Sequence, residues 1–373
     1  MSSNPLAQLS KVGQSPWYDQ MTRSLVTEGT LKKMIEEDGL RGLTSNPTIF
    51  EKAISGGKDY EQALKTLVGK GASLDEIYDG LVVEDIASAA DVFRPVYDAT
   101  NGKDGFVSIE VSPLLAKDTA GTVDEARRLH KKLGRPNVMI KVPATPEGLP
   151  AIEQLIAGGI SVNVTLIFSG EVYAQVMEAY IKGLEKRLAA GGDLSKVASV
   201  ASFFVSRIDT AVDKKLEELA KSGNKEAATL IGKTAIANAK LAYEKFEEVI
   251  DGERWQKLAA AGAQVQRPLW ASTGTKNPAY SDVLYIDTLI GPDTVNTIPP
   301  ATYNAFRDHG TVKVTIHDDV AGAHAVFAKL KELGVSLTGI TEELTEAGVK
   351  SFADSYNNLI AVIERRRQEV AHV

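Results

Sequence analysis

Lys141 lies in the run Asn137-Val138-Met139-Ile140-Lys141-Val142-Pro143, an otherwise apolar stretch stopped by a proline. A lysine near the end of such a strand can snorkel its ammonium to water. It can instead stay desolvated as a neutral amine and attack a carbonyl, the usual design of a Schiff-base nucleophile. The strand alone does not choose between these readings.

Imine chemistry with a ketose asks for defined helpers. The iminium formed on the amine acts as an electron sink for breaking the adjacent C–C bond. One carboxylate must take the proton of the hydroxyl beside that bond. A second acid/base must carry protons through water as the imine forms and hydrolyses. Asp19 and Glu110 supply that pair, and Thr165 could hold the water. Asn46, Asn163 and Ser202 can hydrogen-bond sugar hydroxyls without adding charge. Arg207 and Lys276, each just past a candidate strand, are the basic groups placed to grip a phosphate.

Taken singly, each has a bland reading. Asp19 could cap a turn, Asn46 before Pro47 is a common helix-start signal, and Thr165 suits any strand. A loop charge such as Arg207 or Lys276 is ordinarily solvated. Glu110 within Val107 to Val111 is harder to dismiss, because a lone carboxylate there carries a desolvation cost. Gathered around one lysine, they favour chemistry.

What gathers them is an alternation of strands and helices. Strands are predicted at Ser15–Asp19, Gly39–Thr44, Gly105–Val111, Asn137–Pro143, Ile160–Ile167, Val197–Val205, Gln264–Ala271 and Thr294–Ile298. Helices are predicted between them, at Gly29–Asp38, Val123–Leu133, Pro146–Ala157, Gly170–Ala190, Ile208–Lys221, Lys225–Ile250 and Ser281–Ile290. Helical segments also fill about 47–100, including Leu74–Tyr97, which suggests an inserted pair. Eight strands in one unbroken alternation predict an α/β fold, a (β/α)8 barrel, with its active site at the C-terminal strand ends. The rest, about 301–373, is read as mostly helical, with Val320–Leu333 and Glu342–Arg367 clearest. It is expected to pack on the barrel of a single domain spanning 1–373, and His309–His317 is read as an extended connection.

Composition narrows the function classes. The chain of 373 residues carries 42 Lys+Arg against 49 Asp+Glu, a net charge of −7. That balance disfavours nucleic acid or an anionic membrane as partner, though not a basic pocket for a small phosphate ester. The absence of cysteine removes disulfides, thiolate metal sites and thiol nucleophiles. The histidines at 130, 309, 317, 324 and 372 match no metal motif, and His317 and His324 are read as solvated surface. The start, Met1-Ser2-Ser3-Asn4-Pro5, lacks the pattern of a signal peptide, and no apolar run approaches the ~18 residues of a bilayer span. The expected location is the cytoplasm.

Three segments carry a family resemblance. Gly42-Leu43-Thr44-Ser45-Asn46-Pro47-Thr48-Ile49-Phe50 resembles the transaldolase N-terminal signature. Ile140-Lys141-Val142-Pro143-Ala144-Thr145-Pro146-Glu147-Gly148 resembles the active-site lysine segment, and Gly159 to Ser169 the strand after it. The likeness runs in order over about 15–310, and the Trp17-Tyr18-Asp19 start is similar to the longer bacterial subfamily. The resemblance implies transfer of a dihydroxyacetone unit from sedoheptulose 7-phosphate to glyceraldehyde 3-phosphate, in the non-oxidative pentose phosphate pathway, with no cofactor or metal. It implies Lys141 as the Schiff-base residue, Asp19 as the acid/base at C–C cleavage, and Glu110 with Thr165 as the pair that positions water. It implies Asn46, Asn163 and Ser202 as hydroxyl ligands and Arg207 as the phosphate ligand. Lys276 stands where many relatives have an arginine in a segment two residues shorter. Related fructose 6-phosphate aldolases tend to have tyrosine and glutamine where this chain has Phe204 and Glu110, which favours the transferase. Both monomer and homodimer stay open.

Overall fold

The computed structural model describes residues 4–56 and 58–371; Met1 to Ser3, part of the start read for targeting, and His372 lie outside them. Eight parallel strands close into a barrel in chain order. They are β1 Gln14–Asp19, β2 Gly42–Thr44, β3 Phe106–Glu110, β4 Val138–Pro143, β5 Val162–Ile167, β6 Ser199–Phe204, β7 Arg267–Ala271 and β8 Thr294–Ile298. β8 pairs back onto β1, from Gln14 beside Thr294 to Tyr18 beside Ile298. The expected (β/α)8 barrel with added helices is therefore the fold.

Strands covered by helices on one side and by the barrel interior on the other are buried on both faces. Their sequences accordingly run apolar rather than alternating. Every residue of β3 to β8 is buried. Inside the barrel, Trp17 lies flat against β2, where a Cβ on Gly42 would stand 2.4 Å from the indole ring. Only glycine leaves room there. Below, Arg267 donates to Ser15 at 2.8 Å and pairs with Asp104 at 3.0 Å, closing the N-terminal end of the barrel with a buried ion pair.

Several predicted boundaries move, each for a local reason. β2 begins at Gly42 and not Gly39, because Gly39 caps the helix Thr30–Asp38 in the left-handed region at φ 69°. The predicted helix Lys225–Ile250 is broken into Lys225–Leu230 and Thr234–Asp251, with Gly232 at φ 76° between them, and a further helix follows at Glu253–Ala260. The predicted helix Ser281–Ile290 shrinks to Leu284–Asp287. The carbonyl of Leu289 accepts from Gln14 and Trp270, and that of Ile290 from the Thr315 and Ile316 amides, so those groups serve tertiary bonds. Short helices at Pro5–Leu9 and Arg23–Thr27 had no prediction.

The inserted segment is three helices, Pro47–Gly56, Glu61–Gly69 and Leu74–Ala99, the last opened by a capping box between Ser73 and Glu76. After β8 the chain is helical at Pro300–His309, Val320–Glu332 and Leu337–Ala371. The last helix starts five residues before its predicted bound of Glu342, and the Ser336 hydroxyl accepts from the Gly339 amide at its start. It packs on the helix Pro47–Gly56 and reaches β5 and the helix Ser206–Lys221, and so crosses the C-terminal mouth. Among the described residues no helix is long and apolar enough to cross a membrane.

Candidate active site

Lys141 extends from β4 into the barrel and is only 5% exposed. Its amine does not run out to water. It donates to the Ser45 carbonyl at 3.1 Å and lies 3.5 Å from Oε2 of Glu110. The barrel register explains the second contact, since Glu110 of β3 pairs directly with Lys141 of β4. The first comes from the loop after β2, which turns its carbonyl inward over the amine.

Asp19 closes β1 on the same cavity. Its Oδ1 accepts from the Thr44 hydroxyl at 2.6 Å, and Thr44 and Thr297 hydroxyls lie 2.6 Å apart. Burial pushes the Asp19 carboxyl above its ordinary range. The Thr44 hydrogen bond and the charges of Lys141 and Lys276 pull it back only in part. A carboxylate poised upward in this way suits a group that must take and return a proton.

Glu110 is also pushed upward by burial, against the opposing charge of Lys141. It stands at a partition. The cavity around Lys141 is lined by Asp19, Asn46, Lys141, Thr165, Ser202, Phe204, Arg207 and Lys276. Glu110 instead lines a second cleft, of about 490 Å³, with Tyr78, Asp79, Ser112 and Tyr356. Its carboxylate therefore touches the amine from behind while its flank faces a separate opening. Oε2 of Glu110 and Oγ1 of Thr165 are both buried without a hydrogen-bond partner. A buried polar atom left without a hydrogen-bond partner carries a desolvation cost, so each of these two is an unmet hydrogen-bonding group beside the site.

β5 is distorted where it meets the site. Its register against β6 shifts between Val164 and Ile167, and Leu166 takes φ 61°. Bulges and left-handed non-glycine residues recur at active sites because they re-aim side chains. Thr165, beside the distortion, lines the cavity. Asn163, one pleat deeper, does not. Its Oδ1 accepts from Ser202 at 2.7 Å and its amide donates to Ser108 at 3.0 Å, so it holds Ser202 in place from below.

Asn46 realises its bland reading and lines the cavity as well: Oδ1 accepts from the Ile49 amide at 2.9 Å, capping the helix that begins at Pro47. Its amide group stays available to a ligand. Phe204 ends β6, and the Arg207 guanidinium lies 5.3 Å from the centre of its ring. Arg207 occupies the first turn of the helix Ser206–Lys221, where helix amides also favour an anion. Burial holds Arg207 below its usual range, and no carboxylate among the described residues pairs with it. A partly desolvated, unpaired guanidinium is an anion-binding group. Lys276 also lines the cavity but is exposed.

Sequence reasoning missed three contributors. Thr44 and Ser45 lay inside the quoted signature, yet nothing in one-dimensional spacing pairs them with Asp19 and Lys141. Phe352, from the C-terminal helix, lines the cavity with its ring centre 5.9 Å from Nζ of Lys141. No local signal marked it. Among the described residues no histidine lines the cavity: His317 and His324 are exposed and sit beside Glu247 and Glu244.

The chain is similar to known proteins along nearly its whole length. The model of the transaldolase/fructose-6-phosphate aldolase family matches residues 16–363. A protein named Transaldolase 2 from Nostoc punctiforme is 48% identical over 372 residues, 98% of each chain. Proteins named Transaldolase from Thermobifida fusca and Trichodesmium erythraeum are 50% identical over 371 residues and 46% identical over 380 residues. Those two alignments cover 99% and 100% of both chains respectively.

Proposed function

The chain belongs to the transaldolase/fructose-6-phosphate aldolase family, and from that premise we propose how its residues work. It is a transaldolase, a transferase acting on sugar phosphates. In the proposed reaction the Lys141 amine adds to the ketone carbon of the donor and water leaves, giving an iminium. Asp19 takes the proton of the hydroxyl at the next-but-one carbon, the C–C bond beside it breaks, and the shortened aldehyde departs. The bonding electrons pass into the iminium and leave an enamine of three carbons on Lys141. Attack of that enamine on a second aldehyde, with Asp19 returning the proton, rebuilds a ketose. Hydrolysis of the new iminium frees it.

The remaining residues take roles that follow from their positions. Glu110 and Thr165 hold the water that is lost and regained. Asn46 and Ser202 bind hydroxyls, and Asn163 supports Ser202. Arg207 binds the phosphate, with Lys276 as a second, outer positive charge. Transfer from sedoheptulose 7-phosphate to glyceraldehyde 3-phosphate in the pentose phosphate pathway, in the cytoplasm, belongs to the same proposal, as does reading the barrel and its C-terminal helices as one domain.

The observation that carries the mechanism is the burial of the Lys141 amine beside Glu110, in one cavity with Asp19 and an unpaired Arg207. Incubation with fructose 6-phosphate and borohydride, followed by mass measurement, tests it. One reduced three-carbon adduct is expected, absent from Lys141→Ala. An adduct that survives that substitution would sink the mechanism.

A further inference from the structure

The C-terminal helix Leu337–Ala371 presents one row to the barrel mouth, through Gly348, Phe352 and Tyr356 at successive helical turns. Each touches something that matters to the site. A Cβ on Gly348 would meet Leu166, at the distorted end of β5, at 2.8 Å and Arg207 at 3.6 Å. Phe352 lies over the Lys141 amine. Tyr356 packs edge-on against Tyr78, ring centres 5.5 Å apart, at the cleft behind Glu110. Between them the Ser355 hydroxyl lies 2.7 Å from that of Thr48, two residues past Asn46. Glycine inside a helix costs about 1 kcal/mol relative to alanine. At position 348 that cost is offset by close approach of the helix to the mouth.

We propose that Phe352 is a specificity-determining residue that covers the reacting nitrogen and keeps water from the three-carbon intermediate, so that the unit passes to an aldehyde instead of being released. The inference rests on the reading of Lys141 as the Schiff-base residue. Release needs a proton delivered to the enamine carbon, which restores the iminium. Water oxygen then bonds to the former ketone carbon, the bond from that carbon to Nζ breaks, and the free amine and dihydroxyacetone result. Only the first step separates release from transfer, since hydrolysis with the water held by Glu110 and Thr165 ends both, and that first step draws on further water reaching the enamine beside Nζ. Phe352 is 5% exposed and fills that space with an apolar ring. The cavity around Lys141 measures about 140 Å³, small beside the roughly 300–1,000 Å³ common for ligand sites. It suits a three-carbon remnant, and Phe352 must yield when a full sugar phosphate enters.

The test follows donor partition. Wild type, Phe352→Ala and Phe352→Val are given fructose 6-phosphate with an aldehyde acceptor, and free dihydroxyacetone is measured against transferred product. Expected is a rise of about tenfold in the release-to-transfer ratio for Phe352→Ala, and a smaller rise for Phe352→Val, with the borohydride adduct at Lys141 still forming. A merely structural role would lower both fluxes together and leave their ratio unmoved. An unchanged ratio with the adduct intact overturns the inference and leaves the mechanism standing. Absence of the wild-type adduct overturns both. Should the alanine variant fail to fold, the smaller rise expected of the valine variant decides the matter, and an unchanged ratio there overturns the inference.

Discussion

The carboxylate of Glu110 stands 3.5 Å from the amine of Lys141, on adjoining residues of neighbouring strands, with both side chains almost wholly buried. A pair of opposite charges in such a place is held together by attraction but opposed by desolvation of each partner. Burial raises the Glu110 carboxyl more than the charge and hydrogen bond of Lys141 lower it.

Glu110→Gln keeps the shape and removes the acid/base. Turnover is expected to fall by roughly 10²–10⁴-fold, the usual worth of a positioned acid/base. Borohydride trapping should still label Lys141, but more slowly. Steady-state rates set beside trapping rates check this, and turnover close to wild type would remove Glu110 from the chemistry.

Thr44→Val deletes the 2.6 Å hydrogen bond to Asp19 with little change of volume. That bond holds the carboxyl down, so its loss should raise Asp19 further. As a base Asp19 must be ionised. The acidic limb of the kcat profile should consequently move to higher pH in the variant. A limb that stays put, or moves lower, would detach Asp19 from the rate-limiting proton transfer.

Arg207→Ala should lower kcat/KM for phosphorylated donors by roughly 10- to 100-fold, the range for losing charge-assisted hydrogen bonds. Arg207→Lys should restore only part, since an ammonium cannot offer the planar fork. Unphosphorylated dihydroxyacetone as donor should be affected little. Equal losses on both donors would mean that Arg207 serves the cavity's shape and not the phosphate.

Asp209, two residues past Arg207 and 2% exposed, accepts from the Ala235 amide and the Tyr285 hydroxyl, each at 2.7 Å. Burial pushes its carboxyl up to about 6. A raised native value means that the folded state binds the proton more tightly than the unfolded one. The stabilisation is complete below the ordinary carboxylate range, about pH 4, and is lost as pH rises through about 6. Each unit of separation is worth ~1.4 kcal/mol. Asp209→Asn should flatten the Tm curve between about pH 4 and pH 7. Calorimetry across that range would show it, and an unchanged slope would assign the titration elsewhere.

How far the sequence reached varies by element. β4, a proline-stopped apolar run, was legible because burial on both faces leaves a one-dimensional mark. The helix near 281–290 was not. Its local pattern favours a helix, but Leu289 and Ile290 give their carbonyls to partners such as Gln14 and Thr315, far away in sequence. Among the site residues, those at strand ends could be found because a barrel of this kind puts every such end at one mouth. Asn163 shows the limit of that rule: it lies a pleat too deep and acts on Ser202.

By itself, then, the sequence determined the alternation of strands and helices, and with it the barrel and the end of it that carries polar groups. These follow from local periodicity and burial, which are written residue by residue. Only the tertiary structure decided which group faces which. It set Lys141 against Glu110 and Ser45, hung Asp19 from Thr44, and brought Phe352, some two hundred residues downstream, over the amine. Such pairings depend on strand register and on where the last helix crosses the mouth, and both are properties of packing between elements distant in the chain.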